Sequence, residues 1–299
     1  MFRLEMKKSI FSIYFGISIL LLYLMFLLGN SGQVLLNGTS TTVVNAIWNK
    51  FHGNWRMCSD SSCFVRMFHM WTDNRYLPVL MPFICGMPSV AIYLEEIKTG
   101  NKKFMLSRCT RKEYLVSKIV SNAAVSILLS FLAVALYYLT LYLFYDRIPM
   151  TDSEFAIVHF VFSGELQDDV SGLSMIPVYI GLIKGVLYFF VFGVMNSSFC
   201  LMLGSFCKDK YTAFGGTVFL RYLQCRILEE LVVKYISDGV ELAGTPADIV
   251  NPVYLHYAGR SGFYQDKEWL AVLIGVGFIA VHYLVYIWIS GRELDASER

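Results

Sequence analysis

The sequence predicts an all-helical, polytopic integral membrane protein, with six transmembrane helices and a short cytoplasmic helix between the second and third. Hydrophobic residues make up 56% of the chain and charged residues 16%, whereas soluble domains hold about 45–50% and about 25%. Long apolar runs alternate with short charged connections. The chain is therefore expected to form one transmembrane domain over residues 1–299. Its net charge of +2 gives no reason to expect a nucleic-acid partner.

Six segments are predicted to cross the membrane, since a spanning helix needs about 20 apolar residues. They are residues 10–28, 76–94, 116–145, 173–205, 211–235 and 269–291. The first could be mistaken for a signal peptide, but its apolar run is too long and no small-residue cleavage site follows. The second contains Pro78, Pro82 and Pro88, which predicts a kink or a break in that helix.

The fifth segment is atypical because its second half is charged. Five charged residues lie between position 221 and the end of the segment at 235: Arg221, Arg226, Glu229, Glu230 and Lys234. Two features still favour a span. The tight connection at 208–210 has a cytoplasmic character, and Arg292 and Arg299 belong on a cytoplasmic tail if the charge rule is to hold. An even count of six spans with both termini in the cytoplasm satisfies both.

The distribution of basic residues sets the predicted orientation. They are concentrated in the N-terminal tail and in the connection at 95–113, while the longer connections 29–75, 146–172 and 236–268 hold fewer of them for their length. Cytoplasmic loops carry the excess of Lys and Arg. We therefore predict a multi-pass protein of the cell (plasma) membrane, with those three longer connections as outer loops.

The connection at 95–113, the 95–113 loop, has the most informative pattern in the chain. Its charged residues are interrupted by the apolar residues Ile97, Phe104, Met105 and Leu106, as in an amphipathic helix at a membrane surface. Thr110 and Glu113 have the spacing of a capping box that opens the next helix. A loop that presents a short helix to the cytoplasm has a surface to offer a partner.

The same loop resembles the loop of the type-two ATP-binding-cassette (ABC) exporter permeases. The matching residues are Glu96, Gly100, Leu106, Ser107, Arg111 and Lys118. Six spans with a cytoplasmic loop after the second also match that family. The family usually has proline after the Leu-Ser pair, where this chain has Arg108 and Cys109.

The resemblance implies a permease subunit whose loop is a coupling element resting on a nucleotide-binding subunit. The residues it places at that contact are Glu95, Glu96, Gly100, Lys102, Lys103, Leu106, Ser107, Arg108 and Arg111. It further implies a second copy of the chain or a related permease, contact with membrane lipids, and ATP and Mg²⁺ bound on the partner subunit.

No motif in the chain predicts catalysis by the chain itself. It lacks the phosphate loop GxxxxGK[ST], and it also lacks HExxH and GxSxG. The seven cysteines form no paired CxxC clusters and the five histidines share no ligand spacing, so no metal site is predicted. His282, which lies within a span, is expected to be a packed or hydrogen-bonded residue. We expect no catalytic residue and no cofactor bound by this chain.

Charged residues inside the spans are candidates for a translocation path. An ionised side chain in hydrocarbon costs at least about 2.5–3.5 kcal/mol and usually faces the bundle interior or water. The candidates are Lys184, Arg221, Arg226, Glu229 and Glu230. Arg226, Glu230 and Lys234 follow one another at intervals of four and can pair along one helix face. The alternatives are a structural ion-pair cluster, or a span that ends near Arg221.

Two further questions stay open from the sequence. Cys58 and Cys63 lie in the first outer loop, where a disulfide is permitted, and two free thiols are the alternative. The substrate class also stays broad, since a lipid, a drug or an antimicrobial peptide suits a bundle rich in aromatic residues. A non-transporting scaffold or sensor, with the loop docking a cytoplasmic partner, is the alternative to an exporter subunit.

Overall fold

The computed structural model describes residues 1–34, 40–44, 47–48, 76–144, 176–207, 209–237 and 268–298. Helices dominate these residues: α1 (Phe2–Ile10), α2 (Ile13–Leu27), α3 (Leu77–Thr99), α4 (Asn101–Leu106), α5 (Arg111–Phe144), α6 (Ile176–Phe206), α7 (Lys210–Ser237) and α8 (Glu268–Glu298). One antiparallel hairpin joins β1 (Asn30–Val34) to β2 (Ser40–Thr42). The hairpin lies in a connection for which the sequence predicts only an outer loop.

The helices coincide with the predicted segments to within three residues, except that α3 ends five residues later, α5 begins five residues earlier and α8 ends seven residues later. Helices α3 and α5, most of α6 and most of α8 are long and apolar enough to cross a membrane, and α1 with α2 does so if the pair is one bent span. These findings fit a multi-pass membrane protein. Helix α7 has 28 residues and continues without a break past Arg221, but it is not among the helices that are apolar enough. Six spans therefore stay a prediction.

The chain divides into two compact units. The first contains 1–22, 78–131 and 189–299, and the second contains 23–77 and 132–188. In the second unit, the hydroxyl groups of Tyr23 and Thr140 lie 2.7 Å apart, and the rings of Phe26 and Tyr137 have centroids 5.5 Å apart. These contacts pack the end of α2 against the second half of α5. The remaining sections concern mainly the first unit.

The N-terminal tail is itself a helix. A bend of 60° separates α1 from α2, where the sequence predicts one span preceded by a basic tail. Ser12 explains the break, since its Oγ accepts the backbone N–H of Phe15 at 3.3 Å and so caps the start of α2. On α1 the polar residues Glu5 and Ser9 are buried, whereas Phe2 and Leu4 are exposed. Helix α1 therefore turns a polar face toward the rest of the first unit.

Helix α3 forms the centre of the first unit and is largely buried. Pro82 and Pro88 lie inside it without breaking it, so of the predicted kink or break, the break is absent. An internal proline costs about 3 kcal/mol because it removes a backbone hydrogen bond, and close packing compensates for this. A side chain at Gly86 would collide with Cys200 of α6, and one at Gly204 would come within 2.8 Å of Val90.

A buried polar hub connects four helices of the first unit. Asn122 of α5 is fully buried, and its amide donates to Ser197 Oγ and to Tyr283 OH, both at 3.2 Å. Its Oδ1 accepts the hydroxyl of Ser89. These partners belong to α6, α8 and α3. Amide and hydroxyl groups of this kind join helices inside membranes, so the hub fixes how α3, α5, α6 and α8 pack together.

We expect reporter fusions to place both termini in the cytoplasm. Green fluorescent protein fused to either end should fluoresce, and alkaline phosphatase fused to either end should be inactive, because the first folds inside the cell and the second requires export. A C-terminal fusion with active phosphatase and dark fluorescent protein would indicate an odd number of crossings. Helix α7 would then be the segment that does not cross.

Candidate functional site

The 95–113 loop contains the short helix α4, which lies between α3 and α5. Gly100 separates α3 from α4 with a φ of +72°, a left-handed conformation that glycine adopts without steric cost. Its backbone N–H donates to Ile97 O at 3.3 Å. The chain therefore leaves α3 by a sharp turn that a side chain at position 100 would strain.

The two faces of α4 have different environments. Met105 is buried and belongs to a core cluster with Tyr93, Tyr114 and Tyr286. Phe104 is 54% exposed, and the Arg108 guanidinium carbon lies 4.1 Å from the centroid of its ring. A cation in this position is attracted by the ring face. One face of α4 thus anchors the loop, while the other presents an aromatic ring covered by a positive charge.

The predicted capping box is present at the start of α5. The backbone N–H of Thr110 donates to Glu113 Oε2 at 2.9 Å, and the backbone N–H of Glu113 donates to Thr110 Oγ1 at 3.3 Å. Two N–H groups that the helix itself leaves unpaired are satisfied in this way. The capping box gives α5 a defined first turn directly after the loop.

A buried ion cluster lies beneath the loop. Lys118 Nζ of α5 is 2.5 Å from Glu5 Oε2 of α1 and 2.6 Å from Glu96 Oε2 of α3. All three residues are buried, with exposures of 4%, 2% and 4% for Lys118, Glu5 and Glu96. A second cation, Lys8, compensates the charge of Glu96, with its Nζ 2.9 Å from Glu96 Oε1. Tyr114 OH donates to Glu96 Oε2 at 3.5 Å. The cluster joins α1, α3 and α5 through four compensating charges.

A second, more exposed cluster connects the same end of α3 to α7. Lys210 donates to Glu95 and, at 3.0 Å, to Tyr14 OH, which itself donates to Glu95 at 3.2 Å. Partial burial acts to lower the pKa of Lys210, but the hydrogen bonds to Glu95 and Tyr14 outweigh it and raise that pKa above its usual value. Asp209 caps α7 by accepting the N–H of Tyr211 at 2.9 Å.

Helix α8 is tied to the loop end by two further hydrogen bonds. Arg111 donates to the backbone carbonyl of Gly291, and the hydroxyl groups of Tyr93 and Ser290 lie 3.2 Å apart. The rings of Tyr93 and Tyr286 pack edge to face with centroids 5.8 Å apart. The residues around the 95–113 loop therefore contact α1, α2, α7 and α8 as well as α3 and α5.

The predicted docking residues divide into an internal and an outward group. Glu95, Glu96 and Arg111 are engaged in the contacts described above, Gly100 supplies the turn, and Leu106 is half-buried against the core cluster. Ser107 and Arg108 are exposed, and Lys102 and Lys103 lie on α4. The buried Glu96 pairs with Lys118, so these two motif residues hold the loop in place and do not form its outer surface.

The candidate path residues do not share one environment. Lys184 is exposed on the part of α6 that belongs to the second unit. On α7, Arg221 is buried, whereas Arg226 and Glu230 are exposed, and Glu229 lies on the same helix. Arg226 Nε donates to Tyr222 OH at 3.2 Å. A translocation path through these residues stays a prediction. The other candidate pair, Cys58 and Cys63 with its possible disulfide, lies outside the described residues.

Several residues at the site were not assigned a role from the sequence. The two clusters under the loop are completed by Glu5, Lys8, Tyr14 and Lys210. In the sequence, the two lysines indicate only which side of the membrane their segments lie on. Glu5 carries the one available signal, since it is an isolated acidic residue in a basic tail. His282 behaves as expected, with its Nδ1 2.9 Å from Ser198 Oγ. In the described part of the chain, no group of His, Cys, Asp or Glu residues could hold a metal ion.

No protein-family model matches this chain, and a search of curated proteins finds no relative. The resemblance to the type-two ABC exporter permeases therefore rests on the loop motif and on the order of the helices.

Proposed function

We propose that this chain is the transmembrane permease subunit of an ABC exporter in the plasma membrane. A separate ATP-binding subunit drives it, and it pairs with a second copy or with a related permease. It moves a hydrophobic or amphipathic substrate outward across the membrane, such as a lipid, a drug or an antimicrobial peptide. The observation that carries the proposal is the loop helix α4, which is anchored by the buried Met105 and exposes Phe104, whose ring is covered by Arg108 from the residues after the helix.

The support comes from how the loop is connected. A loop that only linked two spans would need neither a buried anchor nor charge-compensated contacts to several helices. Here the Glu5–Lys118–Glu96 cluster and the Glu95–Lys210 pair join the loop end of α3 to α1, α5 and α7. When two ATP-binding subunits close, they displace such a loop as a rigid element. The helices attached to it then move together and open the path outward.

The purified chain is expected to hydrolyse no ATP by itself, because it has no phosphate loop to bind a nucleotide. The measurement compares phosphate release by the chain in detergent with a detergent blank and with the assembly purified from the native membrane. The assembly should hydrolyse ATP and contain a subunit that carries GxxxxGK[ST]. Hydrolysis by a preparation proven free of other polypeptides would contradict the proposal. An assembly without any ATPase would favour the scaffold or sensor function.

A further inference from the structure

Arg221 on α7 is a buried cation with only neutral partners among the described residues. It is 3% exposed. Its Nη1 donates to Gln224 Oε1 at 2.9 Å and its Nη2 to Asn196 Oδ1 at 3.0 Å. The guanidinium carbon lies 4.6 Å from the ring centroid of Phe199. Its Nε has no hydrogen-bond partner in the described part of the chain. The charge is thus held in place by polar contacts but is not neutralised there.

Arg221 also lines a cavity of about 350 Å³ between α6, α7 and α8. Most of the lining is apolar and includes two methionines and two phenylalanines. The lining residues are Met195, Phe199, Met202, Leu203, Leu220, Arg221, Gln224, Phe278 and His282. The polar members are grouped on α7 and α8, and His282 is turned toward Ser198 by its hydrogen bond at Nδ1. The cavity therefore combines one cationic group with apolar walls.

The chemistry of this combination favours an anion that also has an apolar part. A buried charge without a counter-charge is costly, and it persists mainly where it serves binding or catalysis. A guanidinium pairs best with the oxygens of a planar carboxylate or a tetrahedral phosphate. Methionine side chains adapt to irregular apolar groups. The volume also lies within the usual range of about 300–1,000 Å³ for small-molecule sites.

We propose that this cavity binds an amphipathic anion, with its carboxylate or phosphate head on Arg221 and its apolar part against Met195, Met202 and Phe278. The inference goes beyond the exporter function and does not rest on it. Arg221 has no counter-charge among the described residues, and it would need one in a scaffold or sensor as well. The anion has two possible sources: a free single-chain amphiphile, or the head group of a membrane phospholipid.

The test measures ligand-dependent thermal stabilisation of the purified chain in dodecyl maltoside. The probes share a ten-carbon chain and differ in the head: decanoate, decyl phosphate, decanol and decyltrimethylammonium. We expect the two anions to raise the unfolding temperature in a saturable manner, and the neutral and cationic probes to leave it unchanged. In a second arm, native mass spectrometry compares phosphatidylglycerol with phosphatidylcholine of the same chains. Selective retention of phosphatidylglycerol would identify the phospholipid source.

Variants link the binding to the cavity. Arg221→Gln should weaken anion binding about 10- to 100-fold, as loss of a charged hydrogen bond does, and Arg221→Lys should have an intermediate affinity. The control Arg292→Gln removes an exposed arginine that covers Trp288 on α8 and should bind like the wild type. Equal stabilisation by all four probes, or unchanged anion binding in both Arg221 variants, would overturn the proposal. If Arg221→Gln does not fold, Arg221→Lys and the probe series still decide.

Discussion

Replacing Lys118 with methionine is expected to lower the free energy of unfolding by about 3–5 kcal/mol, the cost of breaking a buried ion pair from one side. The ammonium group lies within 2.6 Å of both carboxylates, and both belong to buried residues. Methionine fills a similar volume but leaves Glu5 without its closest counter-charge. Among the described residues, Lys8 is then the remaining cation of the cluster, at 2.9 Å from Glu96 and 3.9 Å from Glu5. Thermal and denaturant unfolding of the purified chain in detergent measures the effect.

Two further variants separate charge compensation from general damage to α5. Lys112→Met removes an exposed lysine near the start of the same helix and should change stability by no more than about 0.5 kcal/mol. Adding Glu96→Gln to Lys118→Met should recover part of the loss, because it removes one stranded charge and neighbouring residues are energetically coupled. Wild-type stability of Lys118→Met would show that the cluster does not hold the helices together.

Reversing the charge of three basic residues of the 95–113 loop should abolish docking of the ATP-binding subunit. The change is the triple substitution of Lys102, Lys103 and Arg108 by glutamate. It removes the cation above the exposed Phe104 ring and replaces three basic residues of the 95–113 loop with acidic ones. Like charges facing each other across an interface cost several kcal/mol and exclude the partner. Co-purification of the ATP-binding subunit from the native membrane measures the effect.

The matched control keeps the charge and changes only the side-chain geometry. Lys102→Arg, Lys103→Arg and Arg108→Lys together should retain the partner, and both triple variants should insert into the membrane at the wild-type level. Met105, which anchors α4, is unchanged in both. If the glutamate variant co-purifies with the subunit as well as the wild type does, the loop is not the docking surface.

Local signals made parts of the fold predictable from the sequence. The long apolar runs locate α3, α5, α6 and α8, because lipid requires an uninterrupted apolar helix wherever the chain crosses it. The capping box was also predictable, since both of its hydrogen bonds join Thr110 to Glu113 within a single turn. The bend after α1 was missed, because Ser12 in an apolar context gives only a weak capping signal.

The contacts that define the candidate site are long-range, and the sequence does not reveal them. Lys118 pairs with Glu5 across 113 positions, and nothing near either residue indicates the other. Neighbouring Glu95 and Glu96 belong to different clusters, one with Lys210 and the other with Lys118. Which cluster each glutamate joins depends on which face of α3 packs against α7 and which against α5.

Helix α7 illustrates the same limit for the intramembrane charges. Arg221 and Arg226 are similar in sequence context, yet one is buried and the other exposed. Arg226 follows Arg221 by five positions, which places them on different faces of a helix with 3.6 residues per turn. Apolar residues precede and follow Arg221 on several faces of α7, so the sequence pattern does not indicate which face of the helix points inward. Only the packing of α6 and α8 against α7 separates the two arginines.

Photo-crosslinking from Phe104 tests the central claim most directly. A benzoylphenylalanine at this exposed position captures whatever rests on the loop in the native membrane, and mass spectrometry identifies it. The same probe at Trp269, which is exposed near the start of α8, controls for non-specific capture at the predicted outer end. The proposal predicts that Phe104, and not Trp269, crosslinks to a polypeptide carrying GxxxxGK[ST]. Reproducible capture from Phe104 of a polypeptide without that motif would contradict the exporter function and favour a scaffold or sensor.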